Sequence, residues 1–98
     1  MSLYLDEIFL NVTSKESFKD AYQLMESVMK NGFPPAVTLK AGLWASNEEA
    51  KIVLVLDIQN HELTFGPFSD ALARGVVTKR KLSPIVDWTT LRKTVAEM

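Results

Sequence analysis

The chain has 98 residues, 47% of them hydrophobic and 23% charged, with 11 basic and 12 acidic side chains. That length makes one domain, residues 1–98, with a core thin enough that an oligomeric partner would help. The near balance of charge gives no case for a nucleic-acid or anionic-membrane partner, and the absence of cysteine excludes disulfides, thiolate metal sites and thiol nucleophiles.

The first element is a strand over 4–12, "YLDEIFLNV", with Ile8, Leu10 and Val12 on one face and Phe9 and Asn11 on the other. An amphipathic helix follows. Thr13 and Glu16 make a capping-box pattern, and Phe18, Ala21, Tyr22, Met25, Val28 and Met29 recur at helical spacing. Gly32 ends it, with Pro34 and Pro35 beyond. The segment 36–45 alternates, "SNEEA" is a polar turn, and "KIVLVLDIQ" is the most apolar strand of the chain. Together they read as a hairpin in which Leu43 faces Ile52, Leu39 faces Leu56 and Thr38 faces Asp57. A helical stretch over 60–75 starts at Asn60 and ends at Gly75. Gly66-Pro67 kinks or splits it, with the firm helix starting near Pro67. The segment 76–84 is an edge strand closed by Pro84, and 87–98 is a helix capped by Asp87 and expected to bury Trp88, Leu91 and Val95.

This order predicts an α+β fold, a ferredoxin-like β-α-β-β-α-β antiparallel sheet with helices on one face and an extra C-terminal helix. The first and third strands should be central. Ile8, Leu10, Val12, Leu39, Leu43, Leu54 and Leu56 should pack under the helices. The opposite face then carries Phe9, Trp44, Val53 and Val55 among Asn11, Thr38, Lys40 and Asp57. An apolar face of that kind marks an interaction surface. A second copy of the same sheet is the expected cover, ahead of the terminal helix folding back.

With this element order, the "GLW" strand before the hairpin and the "KLSPIVD" strand end, the chain resembles the dimeric α/β-barrel superfamily over residues 3–86. It is similar to small uncharacterised bacterial families within it. The resemblance implies two sheets packed face to face and a cleft between sheet and helices in each protomer. Members include monooxygenases, isomerases and haem-dependent enzymes, and many have no assigned activity.

Few residues carry chemistry. His61, the single histidine, reads as a surface residue in the first turn of a helix, or as an acid–base group near Asp57 and Glu62. Alone it is a poor metal set, so no metal or cofactor is expected. Asp57 reads as a cross-strand partner of Lys40, or as a buried general base. Lys79, Arg80 and Lys81 read as edge protection rather than a phosphate contact. Phe9, Asn11, Lys40 and Trp44 are the candidate ligand-binding residues, and a Gly-Pro break in "FGPF" can open a pocket mouth. Phosphate-binding glycine loops and the G-x-S-x-G elbow are absent. No run approaches the ~20 apolar residues of a membrane span, and the N-terminus lacks the parts of a secretory signal, so a cytoplasmic location is expected. The leading reading is a homodimeric binding or interaction module, with a small apolar ligand as a further partner. The alternatives are a small cofactor-independent enzyme acting on an apolar metabolite, with Asp57 or His61 as base, and a ligand-sensing regulatory module.

Overall fold

A computed structural model describes residues 2–98. The elements are β1 (Leu3–Leu10), α1 (Lys15–Asn31), β2 (Val37–Ala45), β3 (Lys51–Ile58), a 3-10 turn (His61–Thr64), α2 (Phe65–Ala73), β4 (Val77–Ile85) and α3 (Trp88–Ala96). The strands form one antiparallel sheet in the order β2-β3-β1-β4, so β1 and β3 are central. The strand–helix order fits a ferredoxin-like arrangement. The most apolar strand, β3, sits where both neighbours are strands. Its apolar residues run without strict alternation because both faces carry them: Ile52, Leu54, Leu56 and Ile58 on the core side, Val53 and Val55 on the other.

The helix start lies one residue later than Thr13 suggests. Ser14 is the N-cap: its hydroxyl accepts from Ser17 N–H at 3.1 Å, and Ser17 Oγ accepts from Ser14 N–H at 2.9 Å. The serine pair replaces the expected Thr13–Glu16 pair: Ser14 has the extended cap backbone, and Ser17 stands three residues on. Gly32 at φ +88 ends α1. The stripe facing the sheet is also narrower than its spacing suggests. Ala21 is buried and Leu24, Met25 and Val28 face inward, whereas Phe18, Tyr22 and Met29 are exposed. The 3.6-residue period placed the right side of the helix but not its exact rotation.

The split at Gly66-Pro67 occurs upstream of the proline. The 3-10 turn is capped by Asn60, and α2 follows directly at Phe65. Pro67 therefore falls in the first turn of α2, where a missing N–H costs nothing. Arg74, Gly75 and Val76 close the helix: Gly75 N–H donates to Leu72 C=O and Val76 N–H to Ala71 C=O.

The hairpin keeps Thr38 opposite Asp57 and Leu39 opposite Leu56, but Leu43 does not face Ile52; Ala45 does. Two register shifts in β2, one on each side of Ala41, insert the extra residues. Gly42 makes the second possible. Its φ is +105, and a Cβ there would meet Val53 O at 2.9 Å and the Leu54 Cα at 3.0 Å. Gly42→Ala is expected to cost about 1–3 kcal/mol from backbone strain alone, read as a lower urea midpoint.

The core is Val37, Leu54, Leu56 and Ile58, with Ile8, Leu39 and Leu43 packed against it. Val12 lies past the end of β1 and is exposed, so it is not part of the helix-covered face. Among the described residues seven apolar side chains are buried, while thirteen large ones are exposed. No residue of α3 is buried. The radius of gyration, 15.1 Å, exceeds the ~13 Å of a compact chain of this length. This is a fold with apolar surface left over.

Candidate functional site

The two faces of the sheet offer two different sites. On the helix face, strand alternation puts Asp6 in phase with Tyr4 and Ile8, so a carboxylate points into the apolar layer. Asp6 is 2% exposed. The neighbouring edge strand answers it with Arg80. Arg80 Nε donates to Asp6 Oδ1 at 2.7 Å and Nη2 to Oδ2 at 2.6 Å, a bidentate fork. Nη1 donates to Thr64 Oγ1 at 2.8 Å, and that hydroxyl donates on to His61 C=O. The Phe68 ring lies 5.8 Å from the guanidinium. Three elements therefore meet at one ion pair: β1, β4 and the turn before α2.

A cavity of about 390 Å³ lies above this pair, between sheet and helices. Leu24, Met25 and Val28 of α1, Leu43 and Leu54 of the sheet and Phe68 of α2 supply much of its apolar wall. A second, more open hollow shares Arg80, Thr64 and Phe68 with it and has His61 and Glu62 in its wall.

The opposite face carries Leu5, Glu7 and Phe9 of β1, Lys51, Val53 and Val55 of β3 and Trp44 of β2. Strand pairing brings Phe9 and Trp44 to one face with β3 between them. The Phe9 ring is ringed by amines: Lys79 Nζ is 4.5 Å, Lys51 Nζ 5.4 Å and Lys81 Nζ 5.6 Å from its centroid. Lys51 also donates to Glu7 Oε2 at 2.8 Å. That bond holds the Glu7 carboxyl below its usual range and raises the Lys51 ammonium above its own. A depressed carboxyl stabilises the fold above its unfolded value of 4.5, and the gain is lost as pH falls through the folded value. A raised ammonium stabilises below its unfolded value of 10.5, and that gain is lost as pH rises through the folded value. Glu7→Gln is expected to lower the melting temperature slightly at neutral pH and to change little well below pH 4.5, where the parent's Glu7 is uncharged too, so the acid limb of the profile flattens.

The other residues singled out from the sequence are dispersed. Asp57 lies on the open face, and its Oδ1 accepts from Ser2 N–H at 3.1 Å. It forms no ion pair with Lys40, which falls at the first register shift of β2 and is exposed. His61 opens the 3-10 turn on the helix side, so His61 and Asp57 do not share a site. Asn11 is tied down by donating from Nδ2 to Gly75 C=O at 2.9 Å. Lys79 and Lys81 join the open face, whereas Arg80 between them turns inward. Asp6 is the residue the sequence reading passed over. Its signal was its phase, since it shares the odd-even register of Ile8.

Among the described residues no helix is long and apolar enough to cross a membrane, and no group of three His, Cys, Asp or Glu side chains could hold a metal ion. No protein-family model matches the chain, and no curated protein matches it.

Proposed function

We propose that the protein is a homodimeric ferredoxin-like binding module in which a second copy covers the open sheet face. The observation that carries this reading is the face itself: Leu5, Phe9, Trp44, Val53 and Val55 share it, and Trp44 is 54% exposed. Strands of eight or nine residues in a four-stranded sheet span a flat area of roughly 500 Å². A standard stable interface takes about 800 Å² from each partner. α3 presents a further exposed apolar stripe, Trp88, Leu91 and Val95.

Charge favours one orientation. Lys51, Lys79 and Lys81 cluster at the Phe9 end of the face, and Asp57 and the α3 cap Asp87 lie toward the Leu3 end. A twofold axis parallel to the strands would set lysines against lysines. An axis across the strands sets them against the acidic end, and is the arrangement we favour. Light scattering of the intact protein at micromolar and at tenfold lower concentration tests the reading. A dimeric mass at both supports it; a monomeric mass at both rejects it.

A further inference from the structure

We propose that the cavity above Arg80 binds a small apolar molecule bearing one uncharged, carbonyl-type oxygen. This inference concerns the helix face and does not rest on the dimer. The cavity, about 390 Å³, falls within the roughly 300–1,000 Å³ of small-molecule sites. Its wall is apolar, and its polar floor is built. Asp6 is held by Arg80, Arg80 by Thr64 and Phe68, and Thr64 by the turn backbone.

The floor has donors to spare. A guanidinium carries five N–H groups, and three are spent on Asp6 and Thr64. One N–H on each terminal nitrogen is left, and Arg80 lines both this cavity and its open neighbour. Those two groups can donate to a ligand oxygen. The carboxylate is the more deeply buried partner, with the Asp6 side chain 2% exposed against 11% for Arg80, and both its oxygens already accept from Arg80.

Charge sets the class of that oxygen. Asp6 cancels the Arg80 charge, and Asp70 adds a second carboxylate at the wall, itself paired to Arg74 at 3.0 Å. A carboxylate ligand would bring another anion into a buried site whose cation is already matched, and its desolvation would go uncompensated. A ketone, ester or amide oxygen asks only for the N–H groups.

The test uses three probes of similar size on the intact protein, by titration calorimetry at neutral pH: ethylnaphthalene, acetylnaphthalene and naphthoate. The ketone is expected to bind about tenfold more tightly than the hydrocarbon, the gain of a hydrogen bond to a charged donor, and more tightly than the carboxylate. The paired substitution Asp6→Leu with Arg80→Met keeps the floor matched. It is expected to erase the difference between ketone and hydrocarbon while both still bind. Val28→Trp fills the cavity from α1 and is expected to abolish binding of all three. Equal affinity for ketone and hydrocarbon in the unaltered protein would overturn the proposal. So would a preference for naphthoate, which would mark an anion site, no binding of any probe, or binding untouched by Val28→Trp. If the paired variant does not fold, the wild-type ranking and Val28→Trp decide the matter.

Discussion

Val53→Asp is expected to make the protein monomeric at micromolar concentration. Val53 lies on the central strand β3, opposite Glu7 on one side and Trp44 on the other, in the middle of the open face. Its side chain points away from the core formed by Leu54, Leu56 and Ile58. In a lone protomer an aspartate there meets water and faces Glu7, a like-charge cross-strand pair that costs about 0.2–1 kcal/mol. In a dimer built on that face the carboxylate is desolvated without a partner, at a cost of about 3–5 kcal/mol. That corresponds to a loss of affinity of two to three orders of magnitude or more. Light scattering reads the mass, and circular dichroism checks that the monomer stays folded. A Val53→Asp protein that remained dimeric would place the interface elsewhere. The exposed apolar stripe of α3 would then be the next surface to alter, through Trp88→Ala.

Arg80→Met is expected to destabilise the fold by about 3–5 kcal/mol, because it leaves the Asp6 carboxylate buried with its fork removed. The paired change Asp6→Leu with Arg80→Met should recover most of that loss, since replacing a buried ion pair by apolar side chains is often neutral or stabilising. Thr64 loses Arg80 in both variants but keeps its bond to His61 C=O. Urea unfolding of the two variants and the parent gives the comparison directly. If Arg80→Met were as stable as the paired variant, the carboxylate would not depend on this arginine, and the floor of the cavity would need another description.

That contrast bears on why the ion pair is present. If the apolar pair is as stable as the native one, the fold does not need Asp6 and Arg80 for stability. Their place in the wall of a cavity then points to a binding role. The same variants thus separate a structural role from a binding one.

Much of the architecture could be read along the chain. Period-2 alternation marked β1 and β2, an unbroken apolar run marked β3, the helical spacing from Phe18 to Met29 marked α1, and Asp87 marked the start of α3, where its Oδ1 accepts from Thr90 N–H at 2.7 Å. These signals are local: caps, glycines and alternation act within a few residues. The misreadings were local too, but their causes were not. Leu43 misses Ile52 because β2 takes up extra residues where Gly42 presses against the backbone of β3, a contact between strands. Phe18 and Tyr22 are exposed because the position of the sheet under α1, not the helix period, decides which flank is covered.

The candidate site divides in the same way. The chain by itself determined the elements, the apolar open face with Phe9 and Trp44, and the lack of any thiol. Only the tertiary structure decided that Arg80 leaves the lysine run and turns inward to Asp6, seventy-four residues away. It also decided that Asp57 and His61 fall on different sides of the sheet, and that three amines gather on Phe9. Strand phase tells which face a charge takes. Which charge it meets there depends on strand order, and strand order is settled when distant segments pack, not by any residue's near neighbours.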